Sequence, residues 1–331
     1  MSDDLGLATL SEVLDPIGLV KHLQGVSLAP WNGNAVEEIR TRVLKHYPGR
    51  RCTLEIGLRT VKGWHSLIGK VYRKDRSKVF QMMERVQEAG FGPHDEFSIP
   101  QPIAYLSSLR LLLQEKVEGP LADEIFKAGD EQTRAAAAER CGLWLAKFHA
   151  LAPKVGSVSS AKDCLDTDLI QRCSREMTDL GGHLAEKAAW LLKGLEEASS
   201  SLSCVEMCPG HGGYRATHVI LVPGRTVTFD LDTFDVADPA RDVARFISAL
   251  RTQALAQLGS IRMLDGAADA FLSAYLAVGP PDVKKNLCFF EAASCLKRAS
   301  HSLSRSLPDG RERAEAMLDE GIRALNGKAG R

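Results

Sequence analysis

The sequence predicts an α+β chain in two lobes, strand-rich at first and mainly helical afterwards. Its 331 residues exceed the usual size of a single core, so two lobes or domains are the natural expectation. From residue 36 to 113 the chain reads as short strands joined by tight turns, and beyond residue 120 apolar residues recur at helical spacing. Within that helical part, residues 208–246 stand apart: a glycine-rich turn, an apolar hairpin, and acids presented at the end of a strand.

Taken in order, residues 1–35 form an N-terminal extension. Leu10, Val13, Leu14, Ile17, Leu19, Val20 and Leu23 predict short helices broken at Pro16. Val36–Leu44, Cys52–Thr60 and Trp64–Tyr72 predict three strands, turned at Pro48-Gly49-Arg50-Arg51 and at Val61-Lys62-Gly63. A helix is expected from Arg76 to Ala89. Leu111-Leu112-Leu113 predicts a buried strand, ended by charged residues and by Gly119-Pro120. Ala135–Leu151 predicts a long helix, with His149 as a hydrogen-bonded core histidine. Residues 154–170, rich in Ser, Lys and Asp, predict a loop. Pro223-Gly224, between runs of Val, Ile and Thr, predicts a hairpin. Helices interrupted at Gly279-Pro280-Pro281 and Pro308-Asp309-Gly310 complete the chain.

Several residues carry chemistry. Lys70 lies in the apolar run Leu67-Ile68-Gly69-Lys70-Val71-Tyr72, where a cation is costly unless a partner or ligand compensates it; an edge-strand lysine reaching water is the plainer alternative. Glu84 is its expected partner, in preference to Glu88. Arg50 and Arg51 either fork onto phosphate oxygens or form an exposed basic turn. Lys297, Arg298, Arg305, Arg311 and Arg313 read as a solvated helix face, with an anionic acceptor as the alternative. Cys204, Cys208, His211 and His218 can be drawn as a zinc site, against the false-positive rate of short motifs. The eight cysteines form no Cys-x-x-Cys pair and fit reduced thiols. Forty-two basic and forty-two acidic residues balance, leaving no footprint for nucleic acid or an anionic membrane. The N-terminus lacks a signal-peptide pattern and no apolar run spans a bilayer, so a cytoplasmic chain with a small-molecule partner is expected.

The most specific stretch is Gly210-His211-Gly212-Gly213-Tyr214-Arg215-Ala216-Thr217-His218, then Val227-Thr228-Phe229-Asp230-Leu231-Asp232, then Asp238-Pro239-Ala240-Arg241-Asp242. It resembles the aminoglycoside phosphotransferase and choline kinase family, whose members share the protein kinase fold. The family pattern is His-Gly-Asp, four residues, Asn, then a strand ending in Ile-Asp, and finally Gly-Asp-Pro with Asp-Leu-Ala. His211, Gly212, Asp230, Asp238, Pro239 and Asp242 match it. Gly213 falls where the family has its catalytic aspartate, and His218 where it has a metal-binding asparagine. The resemblance implies a small antiparallel-sheet lobe at 36–113, a hinge at 114–120, and a helical lobe at 121–331 carrying the catalytic-type loop 209–232. It implies ATP or GTP, magnesium or manganese, and a small-molecule hydroxyl as acceptor. Lys70 and the Arg50-Arg51 turn would hold phosphates, the backbone of Glu115 to Val117 the adenine edge, and Asp230 with His218 the metal.

Gly213 has no side chain to accept a proton, so Asp232, His211, water or the substrate would orient the acceptor. Loss of a base typically costs a factor of about 10² to 10⁴. A slow kinase is therefore one reading. A pseudokinase-like protein that binds nucleotide or regulates a partner without phosphotransfer is the alternative; a chance agreement of motifs in an unrelated binding protein ranks below both.

Overall fold

The computed structural model describes residues 6–24, 36–160, 165, 182–304 and 309–327. Cys164, Cys173, Arg305, most of the 161–170 part of the expected loop, and residues 1–5 and 25–35 of the N-terminal extension lie outside these. Two compact units divide the chain, residues 1–118 and 119–331.

In the first unit, α1 (Leu10–Leu14) and α2 (Pro16–Leu23) are separated at Asp15, one residue before the break expected at Pro16. The Asp15 carboxylate accepts the N–H groups of Ile17 and Gly18 at 3.2 and 3.1 Å, while Pro16 fills the first helical position where no donor is needed. Strands β1 (Glu38–Tyr47), β2 (Arg51–Thr60) and β3 (Gly63–Tyr72) form consecutive antiparallel hairpins, so Arg51 starts a strand instead of belonging to the turn. After α3 (Ser77–Val86) and the short β4 (Phe97–Ser98) come β5 (Pro102–Leu106) and β6 (Leu111–Glu115). Five strands make one antiparallel sheet in the order β1-β2-β3-β6-β5. Alternation decides which face is buried. Cys52, Leu54, Ile56 and Leu58 of β2, with Leu67 and Val71 of β3, meet Leu10, Val13, Leu19 and Leu23 of the N-terminal helices in one core.

The second unit holds α4 (Ala122–Ala128), α5 (Glu131–Leu151), β7 (Val158–Ser159), α6 (Gly182–Ser199), β8 (Cys208–Gly210), β9 (Val219–Val222), β10 (Arg225–Thr228), β11 (Asp235–Ala237), α7 (Ala240–Leu258), α8 (Asp265–Val278), α9 (Leu287–Ser304) and α10 (Gly310–Leu325). β9 and β10 pair antiparallel around Pro223 and Gly224, whose φ of +71° is cheap only for glycine. Arg140 of α5 fastens this hairpin, donating to the carbonyls of Val222 and Arg225 at 2.7 and 2.6 Å and to Thr226 Oγ1 at 3.0 Å. β11 pairs with β8 antiparallel and with β7 parallel, which places the segment before Asp238 beside the start of the glycine loop. The packed helices enclose a buried ion network: Glu320, fully buried on α10, meets Arg251 at 2.8 Å, Arg262 at 2.5 Å and Arg323. No helix among the described residues is long and apolar enough to cross a membrane.

Candidate active site

The site is built where the hairpin ends. Phe229 closes β10 by donating its N–H to the His218 carbonyl at 3.0 Å. The chain then turns through Asp230 at φ +69°, ψ 51°, a left-handed conformation that aspartate tolerates better than most residues, and enters the 3₁₀ turn Leu231–Thr233. This twist ends the strand two residues earlier than the sequence pattern suggests, leaving the Asp230 side chain about one-fifth exposed and Asp232 half-buried in the turn.

The glycine loop packs on that turn. Gly212 has φ +76°, and a Cβ there would lie 2.0 Å from the Thr233 carbonyl oxygen, so no other residue fits. Gly213 differs: among the described residues its one close neighbour is Thr233 Oγ1, 3.5 Å from the place of a Cβ, so these leave room for a side chain.

Asp242, in the first turn of α7, holds the loop from behind. Its Oδ2 accepts the His211 N–H at 2.6 Å, and the Gly212 N–H lies 3.2 Å from Oδ1. Burial alone would raise its pKa, but His149, Arg241 and Arg245 outweigh burial and hold the carboxyl well below the usual carboxylate range. His149 Nε2 is 3.6 Å from Asp242 Oδ2, and its Nδ1 is 2.7 Å from the Tyr275 hydroxyl, so this histidine is the bonded core residue expected from its helix position. The closing motif is otherwise used internally. Arg241 forks onto Asp235, and Asp238 accepts from Ala240 N–H and Asn286 Nδ2 at 2.8 and 2.7 Å.

Two sequence expectations change here. His211 is fully buried, with its Nε2–H donated to the Phe229 carbonyl at 3.1 Å and its ring beside those of Trp144, Tyr214 and His218. Burial pushes its pKa down. His211 is thus enclosed, and it ties the glycine loop to the end of β10. His218 sits 3.6 Å from Asp230 Oδ2 through the same Nε2 that accepts the Arg215 Nε–H at 3.2 Å. With that lone pair engaged, and with magnesium preferring oxygen, His218 does not fit as a ligand to that ion. Asp230 does fit: one carboxylate completed by phosphate oxygens and water is an ordinary magnesium arrangement. No group of three or more His, Cys, Asp or Glu side chains suited to a metal forms among the described residues, and Cys204 is exposed while Cys208 is buried, so the zinc reading fails.

In the first unit, Lys70 of β3 is 5 % exposed and lies on the sheet face opposite Leu67 and Val71. The expected Lys70–Glu84 pair is not formed. Val79, Met82, Met83 and Val86 define the buried side of α3, and a step of about 100° per residue carries Glu84 to the exposed side. Arg50 is exposed in the β1–β2 turn and Arg51 is half-buried at the start of β2, 5.8 Å from the Tyr47 ring. The Glu115 N–H already donates to the Gln101 carbonyl at 2.9 Å, which removes it as a donor to a base edge; Val117 follows outside any helix or strand.

Sequence reading missed Arg215 and Arg245. Both line a cleft of about 220 Å³ that opens on Gly212 and Gly213. Arg245 stands three residues after Asp242 and therefore on the same helix side, donating to the Gly212 carbonyl; that spacing was the available signal.

A sheet-bearing first unit, a helical second unit and a glycine loop locked to an aspartate strand define a kinase-like phosphotransferase fold. The sequence model of the phosphotransferase enzyme family matches residues 58–282, and the chain belongs to that family. Among solved structures, a choline/ethanolamine kinase family protein from Mesorhizobium loti aligns over 97 % of this chain and 98 % of its own, at TM-score 0.59 and 13 % identity. A glucosamine kinase aligns over 92 % and 83 %, at TM-score 0.63 and 14 % identity. A macrolide 2'-phosphotransferase from Brachybacterium faecium aligns over 92 % and 98 %, at TM-score 0.54 and 17 % identity. At such identities the likeness establishes the fold. No curated protein matches the chain by sequence.

Proposed function

We propose that the protein transfers the γ-phosphoryl group of ATP, or of GTP, to a hydroxyl of a small molecule. The observation that carries this reading is Asp230, turned into the left-handed region at the strand end and partly exposed beside the anchored loop. Asp230 is assigned to the magnesium or manganese ion, Lys70 to nucleotide phosphates, and Asp232 to orientation of the acceptor hydroxyl. When bound, the ion supplies charge neutralisation to the phosphates. The acceptor oxygen bonds to the γ-phosphorus, the bond from that phosphorus to the β,γ-bridging oxygen breaks, ADP leaves, and the hydroxyl proton passes to solvent. Positioning and charge carry most of the acceleration in such a loose transition state, so Gly213 slows the reaction without abolishing it.

The test is the melting temperature with ATP and either metal, since a ligand of the folded state must raise it. A metal-dependent rise in wild type that is lost in Lys70→Ala and Asp230→Asn is expected, together with ADP release in the presence of an acceptor. No rise with either metal overturns the proposal.

Gly213 favours one second reading, a nucleotide-binding regulator without phosphotransfer. It predicts the same thermal shift with no ADP release over a broad acceptor panel.

A further inference from the structure

The cleft beside Gly213 has an unusual charge. Arg215 from the loop, Arg245 from α7, and Lys297, Arg298 and His301 from α9 line it, with Ser248 and Ser294 among the other lining residues and no carboxylate among the described ones. Asp242 lies behind the loop at 3.8 Å from Arg245 and is shared with the loop amides and His149. Arg298 donates only to neutral oxygens, Ser248 Oγ at 2.9 Å and the Arg245 carbonyl at 3.3 Å. Burial, together with the positive charges of Arg215 and Arg245, pushes its pKa down to about 10. It therefore stays charged at neutral pH in a site where other cations repel it.

A buried guanidinium crowded by two others is stabilised by an anion, and guanidinium groups match carboxylate and phosphate oxygens in a fork. The volume, about 220 Å³, falls below that of drug-sized pockets and suits a small head group. Gly213 belongs to the same picture: a carboxylate there would bring negative charge to the mouth of the cleft and oppose an incoming anion. We infer that the Arg215–Arg245–Arg298 cleft binds the anionic group, phosphate or carboxylate, of the small molecule whose hydroxyl is phosphorylated. This rests on the phosphotransfer reading for the role of the ligand, though not for its binding. Amines are repelled by the same charges.

Calorimetric titration of the nucleotide-free protein with inorganic phosphate, glycerol 3-phosphate, glycerate and neutral glycerol tests it. Saturable binding of the anions and none of glycerol is expected; the stronger of glycerol 3-phosphate and glycerate distinguishes phosphate from carboxylate. Arg298→Gln should weaken anion binding about tenfold or more, equivalent to about 1.4 kcal/mol. Because Arg298 also bonds Ser248, exposed Lys297→Gln is the companion variant, expected to weaken it about threefold; Gly213→Asp should weaken it as well. Arg311→Gln, exposed and outside the cleft, is the charge control and should change nothing. No saturable anion binding by wild type, or equal affinities in Arg298→Gln, Lys297→Gln and wild type, overturns the inference. An intact ATP-dependent thermal shift without anion binding removes this inference alone, whereas anion binding without that shift removes the phosphotransfer reading and leaves the site.

Discussion

Asp242 meets two loop amides, His149 and Arg245 at once, so its removal tests the site at the residue scale. Asp242→Asn keeps the shape but leaves Arg245 and the buried loop N–H groups short of negative charge. Breaking a buried charged network in this way costs about 3 kcal/mol, and urea denaturation should read that loss. The pH dependence follows from the sign of the shift. The folded carboxyl is held below its ordinary value of 3.8, so its contribution is fully present above that value and is lost as pH falls through the acid range toward the folded pKa. Asp242→Asn should therefore show a flatter acid limb of stability than wild type. Asp230 is a different kind of acid, partly exposed at the end of β10. Asp230→Asn should leave the melting temperature of the unliganded protein within about 1 °C while abolishing the metal-dependent shift with ATP.

At the scale of the element, the loop and the turn after Asp230 are one object. Gly212→Ala forces a Cβ to within 2.0 Å of the Thr233 carbonyl at a positive φ, a combination costing about 2 kcal/mol or more, and should lower both the melting temperature and nucleotide binding. Part of this element was legible in the chain: Pro223-Gly224 located the hairpin. What was illegible is orientation. Glu84 stands between two buried residues in sequence, yet helical rotation takes it to water. His218 matches a ligand position by spacing, yet its nitrogen is engaged by Arg215. Partners of single ring nitrogens leave no trace in sequence.

For the whole molecule, the helical unit is held by charge as well as by apolar packing. Glu320 is fully buried with three arginines around it, and Arg251 also lies 3.6 Å from Glu291. Glu320→Ala strands those cations and should cost about 3 to 5 kcal/mol, measured by urea denaturation, while the metal-dependent ATP shift persists in the variant. The α+β order of units was readable from the change of period near residue 120. The cationic cleft was not, since residues 215, 245 and 297–298 converge only through tertiary packing, and the overall charge of zero conceals them. The double acceptance by Asp242 has one more consequence. Loop amides ordinarily exchange with deuterium quickly, because small local openings expose them. The amides of His211 and Gly212 end on a buried carboxylate at the base of α7, so neither is released until that helix start itself opens. These two protons, in the middle of a glycine loop, should exchange as slowly as those of the α7 core.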